Sequence, residues 1–224
     1  MSAKISVIMP SLNVVSYIEE SVKSVLNQTF RDIEILCVDA GSTDGTLEKI
    51  KKISLDDKRV ILIKSDIKSY GHQVNLGINF AKSEYISIVE TDDFICENML
   101  EKLYECVTNN NCDIVKCDYN AYYTQENGKR IFLKRSSCDN EEIYKQIIKP
   151  IDYIGLGNSD WYLWTGIYKK SFIKENNIYL SDTKGAAFQD IGFLHKTLVR
   201  AKKCIYIKGN YYNYCIDREV HHLM

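Results

Sequence analysis

Residues 33–46 read IEILCVDAGSTDGT, and this stretch decides the fold class. Its first six residues are mostly apolar and rich in isoleucine and valine, which is typical of a strand buried on both faces. Asp39 then begins a glycine-containing turn, and a helix is predicted from the end of that turn to about residue 53. A buried strand followed by a turn and a helix is the repeating unit of a parallel α/β sheet.

The same unit recurs on both sides of this stretch. Strands are predicted at residues 5–9, 60–63, 85–89 and 113–119, and helices at 17–27, 73–81 and 98–108. We therefore predict an α/β fold with a mostly parallel central sheet flanked by helices. The alternation weakens after about residue 122, so the chain is divided into two halves of one domain, 1–120 and 121–224. A C-terminal extension beyond residue 224 is left open.

The composition is that of an ordinary globular protein and argues against several classes of function. The 224 residues are 45% hydrophobic and 26% charged, with a net charge of −1, so no basic surface for nucleic acid is indicated. The eight cysteines contain no C-x-x-C pair of the kind found in zinc ribbons and redox motifs. Without a signal peptide or a membrane-length apolar run, we expect a cytoplasmic protein with no transmembrane segment. Peripheral contact with the inner face of the membrane is left open.

Acidic residues follow two of the predicted strands. Asp39 ends the second strand, and Glu90, Asp92 and Asp93 follow the fourth. Ligands of open α/β sheets bind beyond the carboxyl ends of the strands, so both groups are expected in one crevice. Clustered carboxylates favour a cation, and oxygen ligands suit Mg²⁺ or Mn²⁺. The alternative for each single aspartate is a turn former or a helix cap.

Three segments carry a resemblance to a known family. They read VIMPSLN at 7–13, VDAGSTDGT at 38–46 and NLGINFAKSEYISIVETDD at 75–93. In this order and spacing they resemble the donor half of family 2 glycosyltransferases with the GT-A fold. The resemblance implies an inverting, metal-dependent transfer of a hexosyl or N-acetylhexosaminyl group from a nucleotide sugar, a UDP-sugar in the usual case. The implied acceptor is a hydroxyl of a saccharide or lipid-linked saccharide, in a bacterial surface polysaccharide such as capsule or lipooligosaccharide.

The resemblance also assigns roles on the donor side, in the half formed by residues 1–120. It places Pro10, Ser11 and Asn13 in a loop against the nucleotide, with Asp39 accepting a hydrogen bond from the base. Glu90-Thr91-Asp92 stands for the family's D-x-D, which makes Asp92 the metal ligand and puts Glu90 near the ribose or the metal. The segment 70–75 resembles a nucleotide-facing loop, with Gly71 and Asn75 as binding residues. Val74 stands where many members have arginine, so His72 or Gln73 could take over a contact.

The acceptor side resembles the family over shorter segments, in the half formed by residues 121–224. Gln189-Asp190 resembles the family's E-D pair, which makes Asp190 the catalytic base at the start of a helix. A first-turn acid favourable to the helix dipole is the alternative for Asp190. Trp161 is the predicted acceptor-binding residue, whereas Trp164 and Tyr168 are predicted to belong to the core. No role is assigned to His221 and His222, because chain ends fray.

Other classes of protein fit the sequence less well. A sugar-nucleotide pyrophosphorylase would need a glycine-rich basic loop where Pro10 to Asn13 stands, and neither a dinucleotide-binding motif nor a P-loop is present. A catalytically inactive binding protein on the same fold is the remaining alternative, since fold alone does not give activity. Glu90, Val74 and Gln189 depart from the family pattern and favour that alternative. Asp39, Asp92 and Asp190 favour an active enzyme.

Overall fold

A nine-stranded sheet runs through the part of the chain that the computed structural model describes, namely residues 2–153, 156, 162–186 and 188–217. Its strands are β1 (Ile5–Ser11), β2 (Ile33–Asp39), β3 (Val60–Lys64), β4 (Tyr85–Ile88), β5 (Phe94–Ile95), β6 (Ile114–Thr124), β7 (Arg130–Arg135), β8 (Gly166–Lys169) and β9 (Cys204–Cys215). Their order is β3-β2-β1-β4-β8-β6-β9-β5, and β7 pairs with β6. Every strand predicted from the sequence is present.

Strand directions confirm a mostly parallel sheet. Strands β1 to β4 are parallel neighbours, and β6 is parallel to β9. The connection between these two groups is β8, which runs antiparallel to both β4 and β6. The short strand β5 and the hairpin strand β7 also run antiparallel to their neighbours. The first half of the sheet is therefore purely parallel, and the mixed pairing is confined to the second half.

Helices cover both faces of this sheet. They are α1 (Ile18–Leu26), α2 (Thr46–Asp56), α3 (Tyr70–Phe80), α4 (Met99–Asn110), α5 (Lys170–Glu175) and α6 (Gln189–Arg200), with short 3₁₀ turns at Glu141–Ile143, Pro150–Asp152 and Leu163–Thr165. Side chains of β1 alternate between two cores: Val7 and Met9 pack with α1 and α4, and Ile8 packs with α3, α5 and α6. Burial on both faces explains why this strand reads as a continuous apolar run.

Helix α3 begins earlier than the sequence predicted. It starts at Tyr70 rather than at residue 73, because the Ser69 side chain accepts a hydrogen bond from the backbone N–H of His72 and caps the helix. The segment 70–75 is therefore the first turns of a helix and not a loop. Val74 is fully buried in the core in this position, so its departure from the family's arginine affects packing.

Trp164 and Tyr168 are both buried, as predicted. No helix in the described ranges is long and apolar enough to cross a bilayer. Helices α4 and α6 have 12 residues each, or about 18 Å, against a hydrocarbon core of about 30 Å.

Candidate active site

The loops that follow β1 and β2 are joined by hydrogen bonds. Asn13 adopts a left-handed backbone conformation with φ of 53°. Its backbone N–H donates to Ser42 Oγ at 2.9 Å, and its Oδ1 accepts from the N–H of Thr43 at 2.9 Å. The N–H of Val14 donates to Thr46 Oγ1 at 2.8 Å. The two segments predicted to face the nucleotide therefore form one connected surface.

The end of β1 is fixed from two further sides. Thr91 Oγ1 donates to the carbonyl of Pro10 at 2.7 Å, which links β1 to the segment after β4. Gln73 Nε2 donates to the carbonyls of Ser11 and Val38, at 2.8 and 2.6 Å, which links β1 and β2 to α3. Gln73 is buried, so it holds the strand ends together rather than facing a ligand.

Asp39 holds the β2 turn together. Its Oδ1 accepts from the N–H groups of Gly41 and Ser42, each at 2.9 Å. Its Oδ2 accepts from Ser42 Oγ at 2.6 Å and from Ser11 Oγ at 3.1 Å. Four bonds fill the usual acceptor sites of a carboxylate, and the side chain is 1% exposed. Its structural role is clear, whereas the predicted contact with a base stays a prediction.

The segment after β4 carries three carboxylates in different settings. Asp93 is buried and accepts from Tyr212 Oη at 2.9 Å and from the N–H of Cys215 at 2.8 Å, so it ties this segment to β9 and does not cap a helix. Glu90 and Asp92 are only half-buried. Glu90 Oε1 accepts from Tyr70 Oη at 2.5 Å. The two half-buried carboxylates are thus the ones placed to meet a ligand.

Gly71 and Asn75 lie against the segment 180–189 of the second half. A Cβ atom at position 71 would collide with the carbonyl of Ser181, so the close approach requires glycine here. Asn75 Nδ2 donates to Leu180 O at 3.0 Å and to Asp182 Oδ1 at 2.7 Å, and Asn75 Oδ1 accepts from the N–H of Leu180. Both residues join α3 to the second half, and their predicted nucleotide contacts stay predictions.

Asp190 lies in the first turn of α6, as predicted, and its neighbour Gln189 anchors that turn. Gln189 is 2% exposed. Its Oε1 accepts from the N–H of Gly71, and its Nε2 donates to Thr183 Oγ1 at 2.9 Å. Gln189 therefore supplies both a donor and an acceptor inside the structure, which a carboxylate cannot do. Gln189 thus anchors the turn that carries Asp190.

Tyr70 lies on the first turn of α3, which contacts both the donor side and the acceptor side of the predicted site. Burial and the negative charges of Glu90, Asp190 and Asp92 raise the pKa of the Tyr70 hydroxyl well above its ordinary value. The Tyr70 hydroxyl contacts Glu90, and the N–H of the next residue, Gly71, donates to Gln189 in the second half. Burial also raises the pKa of Asp190, against backbone hydrogen bonds that lower it. The structure thus bonds the first turn of α3 both to Glu90 and to Gln189, the neighbour of Asp190.

The residues present suit a divalent cation that is shared with a ligand. Within the described ranges, no group of three or more histidine, cysteine or acidic side chains is arranged to hold a metal. Mg²⁺ and Mn²⁺ are commonly held by one or two carboxylates together with substrate phosphates. Asp92 and Glu90 fit that arrangement, because both are half-buried at the end of β4.

The acceptor side is described only in part. Trp161, His221 and His222 lie outside the described residues. Trp164 stacks on Tyr212 with ring centroids 4.2 Å apart, inside the core rather than at the surface. Phe188, which precedes Gln189, is 80% exposed and has φ of 57°. An exposed aromatic ring thus lies two residues before Asp190.

Two tyrosines that contact the carboxylates after β4 were missed from the sequence. Tyr70 bonds Glu90, and Tyr212 Oη accepts from the N–H of Glu90 at 3.0 Å while donating to Asp93. Both contacts span long sequence separations, and tyrosine is too common in this chain to stand out. A tyrosine directly after a capping serine was the available signal for Tyr70, because it places the ring on the first turn of a helix.

Similarity to known proteins identifies the family and the type of fold. The sequence profile described as Glycosyl transferase family 2 matches residues 6–169. Glycosyltransferase GlyG of Streptococcus pneumoniae is 33% identical over 96% of this chain and 71% of its own length. The structure of S. aureus TarS 1–349 in complex with UDP-GlcNAc superimposes with a TM-score of 0.76 at 22% identity, over 97% of this chain and 60% of that one. Mannosyltransferase PcManGT from Pyrobaculum calidifontis, in complex with GDP-Man and Mn²⁺, superimposes with a TM-score of 0.68 at 16% identity. The match covers 99% of this chain and 59% of that one.

The fold is that of the GT-A glycosyltransferases. More particularly, the chain belongs to glycosyl transferase family 2, since the family profile covers most of its length and GlyG is similar over almost all of it. The chain spans about 60% of the two solved structures that it resembles.

Proposed function

We propose that this chain transfers a sugar from a UDP-linked donor to an acceptor hydroxyl with inversion at the anomeric carbon. The observation that carries the proposal is a pair of hydrogen bonds at the start of α3, from Tyr70 Oη to Glu90 and from the N–H of Gly71 to Gln189, the neighbour of Asp190. A donor site built on the first half and a base supplied by the second half is the arrangement that such a transfer needs.

Asp190 is the base in this proposal. Its carboxylate takes the proton of the acceptor hydroxyl as that oxygen forms a bond to the anomeric carbon, and the bond to the nucleoside diphosphate breaks with both electrons on the diphosphate. Asp92, with Glu90 beside it, would hold Mn²⁺ or Mg²⁺. A bound divalent cation supplies positive charge for the departing diphosphate. The loops at Pro10–Asn13 and 39–46 form the surface against which the nucleotide is placed.

The proposed identity of the donor and the proposed biological role are based on similar proteins. TarS was solved with UDP-GlcNAc, and PcManGT with GDP-Man and Mn²⁺. A UDP-sugar donor, a divalent cation and a saccharide or lipid-linked saccharide acceptor are the corresponding proposals here. GlyG comes from the bacterium Streptococcus pneumoniae. We extend the proposal to bacterial surface polysaccharide synthesis on the cytoplasmic side of the membrane, which the resemblance to the family implies.

A thermal-shift titration tests the donor site. The protein is titrated with UDP, GDP and CMP, each with and without Mn²⁺, and compared with Asp92→Ala and with Asp139→Ala, an exposed aspartate outside the site. Ligand at 100 times its Kd should stabilise the fold by about 2.7 kcal/mol. We expect a metal-dependent shift with UDP that is lost in Asp92→Ala and kept in Asp139→Ala. No shift with any nucleotide would favour the inactive-scaffold alternative.

A further inference from the structure

The outer side of α6 combines basic residues with apolar and small ones. The exposed residues of this helix are Gly192, His195, Lys196, Val199 and Arg200. Their spacing of three and four residues places them together on one side of the helix, away from the residues that face the core. None of the five is acidic, so this side of α6 has no carboxylate of its own to pair with its cations.

Large apolar side chains are exposed along the same part of the surface. Phe188, directly before α6, is largely exposed, and Val199 in the last turn is about half exposed. The 3₁₀ turn Pro150–Asp152 contacts α6, and Ile147 and Ile151 of this neighbouring segment are also about half exposed. Four of the nine exposed large apolar side chains in the described ranges thus lie on two adjoining segments. Apolar patches of this kind mark interaction sites.

Both segments also carry an excess of positive charge. Residues 145–152 contain two lysines and one aspartate, and residues 189–203 contain four lysines and arginines against the single acid Asp190. The whole chain, in contrast, has a net charge of −1. The name α6 patch is used below for six exposed residues of these segments, namely Ile147, Ile151, Phe188, Lys196, Val199 and Arg200.

This composition suits an anionic membrane better than a second copy of the chain. Apolar side chains that enter the headgroup region, together with lysine and arginine that attract anionic lipids, are the features of interfacial membrane binding. A twofold interface between two copies would instead place the α6 patch against itself. Lys196 and Arg200 would then approach their own counterparts, and like charges repel.

We propose that the α6 patch is a docking surface for an anionic membrane. Asp190 lies on the same helix, so docking would hold the proposed base at the membrane surface, where a lipid-linked acceptor is met. That consequence rests on the function proposed above, whereas membrane binding by the α6 patch does not depend on it.

Vesicle binding tests the proposal without using turnover. The full chain is sedimented with vesicles that contain phosphatidylglycerol and phosphatidylcholine, and with vesicles of phosphatidylcholine alone, at low and at high salt. We expect binding to the anionic vesicles and little binding to the neutral ones. High salt should weaken the binding, because it shortens the range over which exposed charges interact. Equal binding to both kinds of vesicle would overturn the proposal.

Charge reversal on the α6 patch measures the electrostatic part. Each basic residue near an anionic surface contributes roughly fivefold in affinity, so Lys196→Glu combined with Arg200→Glu should weaken binding at least about 25-fold. Lys51→Glu combined with Lys52→Glu is the matched control. It changes the net charge equally at exposed positions of α2, which packs on the opposite face of the sheet. Equal losses in the two double variants would show that net charge alone drives binding and would overturn the proposal.

Replacement of the apolar side chains provides an independent measurement. Ile151→Ser combined with Val199→Ser should weaken binding to anionic vesicles at least about 10-fold, because less apolar surface enters the headgroup region. Leu55→Ser is the control, since Leu55 is exposed on α2, and it should bind as wild type does. Thermal melts establish that these variants are folded. Wild-type affinity in the folded double variant would overturn the proposal.

Two further outcomes separate the alternatives. Failure of the wild-type chain to bind anionic vesicles would overturn the proposal, and a dimer on size-exclusion chromatography that Val199→Asp disperses would then assign the α6 patch to a second copy. Absence of a thermal shift with any nucleotide, together with normal vesicle binding, would contradict the proposed sugar transfer and leave the docking surface in place.

Discussion

At the scale of single residues, Asp190 combines two opposing demands. Burial raises the pKa of its carboxyl, while N–H groups of the first turn of α6 lower it. A base must be ionised to accept a proton, yet its environment disfavours the ionised form. The residue is therefore both the proposed centre of the chemistry and a cost to the folded state at neutral pH.

The Asp190→Asn variant should lose turnover and keep donor binding. General base catalysis contributes typically 10²–10⁴-fold, so we expect kcat to fall by at least about 100-fold. UDP binding with Mn²⁺ should stay within about twofold of wild type, because the amide keeps the size of the side chain. Steady-state kinetics and a nucleotide titration measure the two effects. Full turnover in this variant would remove Asp190 from the role of base.

The same variant should be more stable than wild type near neutral pH. A carboxyl whose pKa is raised on folding favours the folded state below its unfolded pKa of about 3.9, and that contribution is lost as the pH rises through the folded value. The amide of the Asp190→Asn variant does not ionise and carries no such loss, so the variant's advantage in Tm should be largest at pH 7 and shrink toward pH 4. Thermal melts across this range measure it. An advantage independent of pH would point to packing instead.

Asp39→Ala should destabilise the fold strongly. The change leaves two backbone N–H groups and two hydroxyls of the β2 turn without their acceptor. Each buried unsatisfied donor costs about 1–3 kcal/mol, so we expect a total loss of at least about 3 kcal/mol in urea unfolding. Asp56→Ala, at the exposed end of α2, is the control and should change stability by less than about 0.5 kcal/mol. A loss below about 1 kcal/mol for Asp39→Ala would show that water replaces these bonds.

Sequence reasoning identified the acidic residues of the site but not their partners. Asp92 was predicted from its position after a strand and from the resemblance to the family's D-x-D, and Asp190 from the resemblance of Gln189-Asp190 to the family's E-D pair. Both are short local segments of the sequence. Tyr70 and the anchoring role of Gln189 depend on contacts between distant parts of the chain, such as Gly71 with Gln189, 118 residues apart. No periodicity or local motif encodes such a pair, so only the folded structure shows it.

At the scale of elements, the packing of α3 on β1 depends on one glycine. A Cβ atom at Gly77 would lie 2.5 Å from Ile8 Cγ2. The helix could not stay at its present distance from the sheet with any larger residue. Since the start of α3 carries Tyr70 and Gly71, this contact also sets the depth at which the helix meets the site.

Gly77→Ala should therefore destabilise the protein although alanine is the better helix former. Overpacking typically costs about 1–3 kcal/mol, against a helix-propensity gain of about 1 kcal/mol. Gly192→Ala in α6 is the matched control, because a Cβ there meets nothing within 4 Å and should stabilise the protein. Urea unfolding of both variants gives the signs directly. A stabilising effect of Gly77→Ala would mean that α3 can shift away from β1 at little cost.

Most elements of the first half were predictable, apart from the two-residue strand β5, whereas several of the second half were not. Strands β1 to β4 and the helices between them follow a regular alternation of apolar runs and turns. In contrast, β8 has only four residues, and β9 pairs with β6 across two shifts in register. Short and irregular strands carry too little periodic signal to be recognised without their neighbours.

At the scale of the whole molecule, the predicted division at residue 120 does not interrupt the sheet. Strand β4 of the first half pairs with β8 of the second, and β5 pairs with β9. Strand β6 begins before the division and ends after it. Asp93 adds hydrogen bonds to β9 at the same place. The assignment of separate donor and acceptor roles to the two halves stays a prediction, but their structures are interwoven.

A fragment of residues 1–120 should not fold by itself. It would lack β8 and β9, leaving β4 and β6 without neighbours that they have in the whole chain. We expect the fragment to show a weak far-UV circular dichroism signal and a broad, non-cooperative urea unfolding transition. The full chain should show a single sharp transition. Mixing it with the fragment 121–224 serves as the control for recovery of structure. Cooperative unfolding of 1–120 alone would establish it as an independent domain.

The hydrogen bonds between α3 and the segment 180–189 also bear on how such enzymes can be recombined. Gly71 and Asn75 of α3 bond Gln189 and Leu180 of the second half. An acceptor region grafted from another enzyme would therefore place residues against α3 that do not fit these contacts. Residues 69–75 would have to travel with the graft as part of the same module. For the same reason, we expect substitutions in these two segments to occur together among related sequences. A library that recombines the two segments independently should contain mostly variants that have lost these hydrogen bonds.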